Sequence, residues 1–123
     1  MKKIYIAGPY NAGSAVDMLE NMRRGMKVSK DVFLAGMAPF CPWLDYHYTL
    51  MLDEGERISV EQYYEYSIAW LLVSDAMIVL PGSQFSVGVN REISEAVKRG
   101  IPICFMSDYN VGPILEELED EHL

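Results

Sequence analysis

The sequence predicts an α/β fold in which a parallel sheet lies between two layers of helices. Apolar runs at residues 3–7, 38–42, 76–80 and 101–106 have the length of buried strands. Segments with helical periodicity separate them, and strands that alternate with helices form parallel sheets through right-handed crossovers. Hydrophobic residues make up 50% of the chain, which is enough for one real core. We therefore expect residues 1–123 to form one domain with a three-layer, Rossmann- or flavodoxin-like sheet of four or five strands.

A strand and a long helix open the predicted fold. The turn Gly8-Pro9-Tyr10 closes the strand at residues 3–7, and Ser14 is a typical N-cap for a helix that ends near Gly36. One face of this helix is expected to pack on the sheet, and it carries Met18, Met22, Met26 and Phe33. The second strand, at residues 38–42, is short and has prolines at its margins.

The middle of the chain is predicted to be a long connection followed by a helix. Residues 43–57 have no clean period and are rich in Asp, His and Tyr, as functional loops often are. The segment from Ser59 to Gln62 fits a capping box, so a helix should run from there to about Ser74. Its apolar stripe comprises Tyr64, Ile68, Leu71 and Leu72.

The second half repeats the alternation of strand and helix. The strand at residues 76–80 leads through Pro81-Gly82 to a helix that Ser86 caps and Gly100 ends. The residues expected to face the sheet are Val89, Ile93, Ala96 and Val97. A fourth strand at residues 101–106 and a short helix at 113–119 follow, and the acidic run at 116–121 is expected to be a solvated tail.

Composition narrows the classes of function. The net charge of −8 argues against a surface that binds a nucleic acid polymer, although a local basic group can still hold one small anion. The two cysteines, Cys41 and Cys104, lie in apolar runs and predict buried thiols rather than a disulfide framework or a zinc site. No metal or cofactor is implied. The N-terminus is too short for a signal peptide and no apolar run approaches a membrane span, so we expect a cytoplasmic protein without membrane contact.

The segment between strand three and the following helix is the most informative part of the chain. Open parallel sheets bind ligands at the carboxyl ends of their strands, here strands one and three, and free N–H groups at a helix start attract phosphate or carboxylate. Ser86 either caps the helix alone or also holds an anion, and Gly88 permits close approach of a ligand. Glu92 lies on the shoulder of the apolar stripe, so it is either a half-exposed surface group or a carboxylate aimed into a cleft.

Several other residues qualify as ligand contacts. They are Gly8, Pro9 and Tyr10 after strand one, Asp45 and His47 in the long connection, and Asp75 before strand three. Tyr10 could stack on a ring or orient a carboxylate, whereas Asp75 is expected to cap local structure or bind a nearby Arg rather than to take part in catalysis. Dinucleotide and Walker A motifs are absent, and no spacing indicates a Ser-His-Asp or Cys-His nucleophile.

Taken together, these segments resemble the nucleoside 2-deoxyribosyltransferase superfamily, which includes 2′-deoxynucleoside 5′-monophosphate N-glycosidases. The matching segments are residues 4–10 (IYIAGPY), 74–82 (SDAMIVLPG), 86–93 (SVGVNREI) and 100–103 (GIPI). Their order and spacing cover about residues 3–106, and their joint order is more specific than any one segment.

The resemblance implies a catalytic role for Glu92. In that superfamily the glutamate of this segment attacks the anomeric carbon of a deoxyribose, the base leaves, and a covalent glycosyl ester forms. Water then gives hydrolysis and a second base gives transfer. A tyrosine such as Tyr10 would help to keep the carboxylate ionised. Ser at position 86 resembles the branch that acts on 5′-monophosphates, since the enzymes that act on free nucleosides tend to have Asp there.

One position departs from the superfamily pattern. Counting eight residues back from Asp75 gives Ser67, where the characterised enzymes have an aspartate that assists protonation of the leaving group. A serine hydroxyl has far too high a pKa for that role. Either Glu65, Asp45 or His47 substitutes for it, or the base leaves without strong acid assistance, or the chain is not a glycosidase.

Three hypotheses therefore compete. The first is hydrolysis of a deoxynucleoside 5′-monophosphate, the second a non-catalytic nucleotide-binding or sensing module, and the third a deoxyribosyltransferase that exchanges bases on nucleosides. The partner in each case is a small nucleotide or nucleoside. The resemblance also implies a homodimer or larger homo-oligomer, and the aromatic cluster Tyr63, Tyr64, Tyr66 and Trp70 suits an interface. The chain lacks the C-terminal aromatic segment that transferases insert into a neighbouring subunit's site, which weighs against transfer.

Overall fold

A computed structural model describes residues 1–120 of the chain. Strands and helices alternate along it: β1 Lys3–Ala7, α1 Ala15–Leu34, β2 Ala38–Phe40, a 3₁₀ turn Pro42–Asp45, α2 Tyr46–Leu50, α3 Val60–Leu71, β3 Ala76–Val79, α4 Val87–Arg99, β4 Ile103–Phe105 and α5 Gly112–Asp120. The predicted caps are confirmed, since Ser14, Ser59 and Ser86 each accept a backbone N–H of the helix they precede. Gly100 ends α4 in the left-handed region, at φ 68°.

The sheet within these residues has four parallel strands in the order β2-β1-β3-β4. Ile4 of β1 is in register with Pro39 of β2 and Ala76 of β3, and Ile78 of β3 is in register with Cys104 of β4. Helices cover both faces. The predicted three-layer, Rossmann- or flavodoxin-like fold is confirmed.

Alternating side chains of the central strands enter two separate cores. Ile4 and Ile6 of β1 pack with apolar residues of α1 and α5 on one face. Tyr5 and Ala7 pack on the other face with Leu71 of α3 and with residues of α4. Because both faces are covered, β1 and β3 are almost continuously buried, which explains their unbroken apolar sequences.

The structure corrects three local predictions. The connection at residues 43–57 contains the 3₁₀ turn and α2, which are too short to show a hydrophobic period. Phe33 and Val97, which the sequence places on buried helix faces, are 62% and 67% exposed, because Val32 and Ala96 take those inward positions. The acidic run is not simply a tail, since it forms α5 and buries Leu118 against the sheet. The last residues of that run and the chain end, residues 121–123, lie outside the described part.

Candidate functional site

A cavity of about 670 Å³ opens at the carboxyl ends of β1 and β3, where the sequence predicts ligand binding. The loop after β1, the 3₁₀ turn, α3 and the start of α4 form its walls. The predicted site residues that line it are Gly8, Pro9, Tyr10, Asp45, Ser67, Ser86, Gly88 and Glu92. Aromatic side chains add Trp43, Tyr46, Tyr63, Tyr64 and Phe85. The cavity therefore combines aromatic surface with two carboxylates, and its volume is in the range of small-molecule sites.

Ser86 fixes the start of α4 at the cavity mouth. Its hydroxyl accepts the backbone N–H of Val89 at 3.3 Å, and its own N–H donates to the carbonyl of Ser83 at 3.0 Å. The buried Ser83 hydroxyl in turn donates to the carbonyl of Leu80 at 2.6 Å, at the end of β3. The first N–H groups of a helix have no partner within the helix, so this wall offers donors and a positive dipole end to an anion.

Gly88 lets the helix start approach α3 closely. A Cβ atom at this position would lie 3.1 Å from Cε1 of Tyr64, so the tyrosine would have to move. Arg91 contacts Tyr64, with its guanidinium 5.2 Å from the ring centroid. Arg91 also makes a two-pronged ion pair to Glu61, with nitrogen–oxygen distances of 2.7 and 3.0 Å, and this pair joins α3 to α4.

Glu92 points into the cavity rather than to the outer surface. The side chain lines the cavity wall, yet its Oε2 atom is buried and has no hydrogen-bond partner among the described residues. Burial raises the pKa of Glu92 to about 7, and the nearby Tyr5 phenol partly offsets this rise. A carboxylate with this pKa is half ionised at neutral pH, so it can serve as a nucleophile or exchange a proton.

Tyr5 is the functional candidate that sequence reasoning missed. It is fully buried in β1 behind the cavity wall, and its hydroxyl interacts with both Glu92 and Ser67 without a hydrogen bond of ordinary geometry. Burial and the Glu92 charge raise the pKa of Tyr5 well above its ordinary value, so the phenol stays a proton donor. The available signal was a polar-tipped tyrosine in the middle of an otherwise aliphatic buried strand.

Tyr10 does not take the role expected of it beside Glu92. It lines the cavity and is half-buried, but the charged or polar groups that affect it are Asp45, Tyr63 and Tyr46. Burial, followed by the Asp45 charge, raises the pKa of Tyr10. Tyr5 is thus the phenol next to Glu92, and Tyr10 is the phenol affected by Asp45.

Asp45 is held in the cavity wall by the packing of Trp43. The indole Nε1 donates to the carbonyl of Pro9 at 3.1 Å, and the ring fits against two glycines. Cβ atoms at Gly8 and Gly25 would come within 2.9 and 2.4 Å of it, respectively. Asp45 is 8% exposed, and burial raises its pKa to about 6.

Three residues considered at the sequence level lie away from the cavity. Asp75 precedes β3 at the amino ends of the strands, where its Oδ2 accepts the backbone N–H of Lys3 at 2.8 Å. His47 on α2 and Glu65 on α3 are exposed and do not line the cavity. Asp75 and His47 therefore lie outside the candidate site.

The described residues hold no candidate metal site and no helix that could cross a membrane. No group of three or more His, Cys, Asp or Glu side chains is arranged to hold a metal ion within residues 1–120. Over the same part of the chain, no helix has the length and apolar character needed to cross a membrane. Cys41 is buried and Cys104 half-buried, and the two cysteines do not form a disulfide with each other.

Solved structures that share the fold include two proteins that are similar to this chain. A conserved protein from Enterococcus faecalis V583 superposes with a TM-score of 0.66 at 19% identity, over 99% of this chain and 77% of that one. A 2-deoxyribosyltransferase from Bacillus psychrosaccharolyticus superposes with a TM-score of 0.60 at 16% identity, over 98% of this chain and 93% of that one. At such identities the comparison establishes the fold, which is nucleoside deoxyribosyltransferase-like.

Comparison of the sequence with curated proteins gave no match. A sequence family described as a domain of unknown function, DUF7768, matches residues 2–106. This match spans β1 to β4 and includes every cavity-lining residue named above. The chain therefore belongs to the DUF7768 family.

Proposed function

We propose that this protein hydrolyses the N-glycosidic bond of a deoxynucleoside 5′-monophosphate through a covalent intermediate on Glu92. The observation that carries the proposal is the buried Glu92 carboxylate, whose Oε2 atom has no hydrogen-bond partner within residues 1–120, in the same cavity wall as the α4 N-terminus. Six residues separate Ser86 from Glu92, which is about 9 Å of helix rise. A sugar 5-phosphate can bridge this distance with its phosphate at Ser86 and its anomeric carbon at the carboxylate.

The chemistry follows from the environment of Glu92. The ionised carboxylate attacks C1′ while the bond to the base breaks, and the oxocarbenium-like transition state is stabilised by the negative charge in a poorly hydrated site. Water then attacks C1′ of the ester and releases the sugar phosphate and Glu92. The Tyr5 phenol can donate to the carboxylate and hold the free oxygen in position during both steps.

The phosphate end of the site accounts for selection of a monophosphate. Ser86 and the first N–H groups of α4 favour an anion, whereas an acidic residue at the same position would repel it. Gly88 leaves room for the phosphate to reach the backbone. Aromatic residues of the cavity, such as Tyr63 and Phe85, offer surface on which a base can stack.

A base-release assay tests the proposal. Each deoxynucleoside 5′-monophosphate and its free nucleoside is incubated with the wild-type protein, with Glu92→Gln and with Glu95→Gln, and the free base is separated by chromatography. Glu95 is a matched control because it lies on the same helix but pairs with Lys98 outside the cavity, at 3.4 Å. We expect release from a monophosphate by the wild type and Glu95→Gln only. Release that persists in Glu92→Gln would contradict the assignment of the nucleophile.

Two other functions have specific support. Ser67, with its weakly acidic hydroxyl, favours a module that binds nucleotides without cleaving them, and thermal stabilisation by nucleotides without base release would identify it. The fold shared with a 2-deoxyribosyltransferase favours base exchange, since the same glycosyl ester can be captured by a second base. Formation of a new nucleoside or nucleotide after addition of that base would distinguish transfer from hydrolysis.

We also propose that the protein assembles as a homodimer or larger homo-oligomer. Of the aromatic cluster expected at the interface, Tyr63 and Tyr64 line the cavity and Trp70 is 47% exposed. It stacks on Phe40 of the edge strand β2 and extends an apolar surface there. Elution at the monomer mass in size-exclusion chromatography with light scattering would contradict this proposal.

A further inference from the structure

We propose that Asp45 is the group that protonates the departing base and later takes a proton from the attacking water. This inference rests on the proposed N-glycosidase function and deepens it, because that reaction needs a proton donor as well as a nucleophile. A base expelled from C1′ carries the electron pair of the broken bond, and protonation of the base lowers the barrier by a large factor.

The position of Asp45 allows its carboxyl group to bind a ligand in the cavity. It lines the cavity and is 92% buried, and its carboxyl group makes no hydrogen bond or ion pair within the described residues 1–120. Buried carboxyl groups are ordinarily paired, so an unpaired one that faces a cavity indicates a partner in the bound molecule. The fit of Trp43 between Gly8 and Gly25 fixes the turn that carries it.

The other proton donors in reach are less suitable. Among the residues that line the cavity, Asp45 and Glu92 are the carboxyl groups, and Glu92 is required in its ionised form as nucleophile. The Ser67 hydroxyl is far too weak an acid. Tyr10 lines the cavity too, but its raised pKa makes the phenol a weaker donor than a carboxyl group.

The surroundings of Asp45 make its protonated form more abundant than that of an exposed aspartate. Burial is the cause of its raised pKa, about 6. The titratable groups that feel its charge are Tyr5, Tyr10, Cys41 and Tyr66. All four are neutral at neutral pH, so none of them favours the ionised carboxylate as a nearby cation would.

The proposed steps balance. In the first step an oxygen of Glu92 bonds to C1′, the C1′–N bond breaks, and the base nitrogen takes the electron pair and the proton of the Asp45 carboxyl group. In the second step a water oxygen bonds to C1′, its proton passes to the Asp45 carboxylate, and the ester bond breaks with its electron pair returned to Glu92. Both residues are regenerated, and the net reaction is the addition of water across the glycosidic bond.

The leaving group provides the decisive test. We would measure kcat/KM, which reports the first step, for the nucleotide that the wild type cleaves and for 4-nitrophenyl 2-deoxyriboside 5-phosphate. Nitrophenolate departs without a proton, so this substrate does not need the acid. The variants are Asp45→Asn, Asp45→Ser as a second replacement, and Asp53→Asn. Asp53 is an exposed aspartate beyond α2 that does not line the cavity, so its variant is the matched control.

We expect Asp45→Asn and Asp45→Ser to lower kcat/KM for the nucleotide by about 10²–10⁴-fold. The loss with the nitrophenyl substrate should be at least about tenfold smaller, and Asp53→Asn should match the wild type. Equal losses on the two substrates, a loss confined to KM, or full activity in the folded variants would overturn the role of Asp45 and leave the proposed function intact. Absence of base release by the wild type would instead contradict the proposed function, and the inference with it.

Discussion

Glu92 and Tyr5 bring a carboxylate and a phenol together in a region from which water is largely excluded. The Glu92 Oε2 atom and the Tyr5 hydroxyl are both buried, and each affects the pKa of the other. Tyr5 lies on strand β1 and Glu92 on helix α4, and the two side chains meet behind the cavity wall. Its cost to folding is electrostatic, because an ionised carboxylate has lost its water without gaining a full hydrogen bond.

This burial predicts that Glu92→Gln stabilises the fold in a pH-dependent way. The folded pKa of Glu92, about 7, lies above its ordinary value of 4.5, so the stability associated with the protonated form is complete below pH 4.5 and is lost as the pH rises through 7. Glutamine mimics the protonated form and escapes this loss. The free energy of unfolding of Glu92→Gln should exceed that of the wild type by up to about 3 kcal/mol at pH 8, and by little at pH 4.5.

Denaturant titration at both pH values measures the difference. Glu95→Gln serves as the control because Glu95 is half-buried on the same helix and pairs with Lys98. A gain in Glu92→Gln that is the same at pH 4.5 and pH 8 would show that the carboxylate is not the cause.

The two cavity carboxyl groups together predict a bell-shaped dependence of base release on pH. The reactive form needs one proton on the pair, on Asp45, so the rate should rise with pH through about 6 and fall through about 7. The single proton can lie on Asp45, which is the productive form, or on Glu92. Because the pKa of Glu92 exceeds that of Asp45 by one unit, the form with the proton on Asp45 is about tenfold less populated than the other. In Asp45→Asn the alkaline limb should disappear. A wild-type rate that is flat between pH 5 and pH 9 would contradict this prediction.

Sequence patterns were sufficient to predict the fold, because each strand and each long helix has a strong local signal in the sequence. The apolar runs of β1 and β3 have no alternation, which is typical of strands covered on both faces, and serines at 14, 59 and 86 begin the long helices. The location of the cavity follows from the topology alone, since parallel strands end at one edge.

The orientation of the site residues depends on contacts that no local pattern contains. Tyr5 looks like any core residue until the fold brings Glu92 and Ser67 to its hydroxyl. Asp45 looks like a loop residue because the 3₁₀ turn is only four residues long, and its burial depends on Trp43 and on glycines distant in sequence. Asp75 is one of the acidic residues that the sequence offers as a ligand contact, but its position before β3 puts it at the opposite edge of the sheet.

The fit of Trp43 predicts that Gly25→Ala harms both the fold and the site. The new methyl group would lie 2.4 Å from Cε3 of Trp43, and neither helix α1 nor the buried indole can easily move. Overpacking of this kind costs about 1–3 kcal/mol of unfolding free energy, despite the higher helix propensity of alanine. Denaturant unfolding and the fluorescence of Trp43 in a Trp70→Phe background would measure the change. Gly13→Ala is the control, since a Cβ there meets nothing within 4 Å.

The position of Ser86 predicts that one negative charge at this residue would decide whether the protein prefers a monophosphate or a free nucleoside as its substrate. Aspartate is as good an N-cap as serine, so Ser86→Asp should keep α4 intact while it adds a negative charge where the phosphate is expected. Ser86→Asn is the matched variant, because it has the same shape as Asp and caps the helix without charge. Steady-state kinetics with a monophosphate and its nucleoside would then separate charge from shape.

We expect Ser86→Asp to raise KM for the monophosphate at least about tenfold, about 1.4 kcal/mol of binding free energy. The KM for the free nucleoside should change little in either variant, because the nucleoside has no phosphate to be repelled. If Ser86→Asn shows the same loss as Ser86→Asp, the effect comes from side-chain size. If the nucleoside is affected as much as the monophosphate, the phosphate does not bind at the start of α4, and the selection of a nucleotide must arise elsewhere in the cavity.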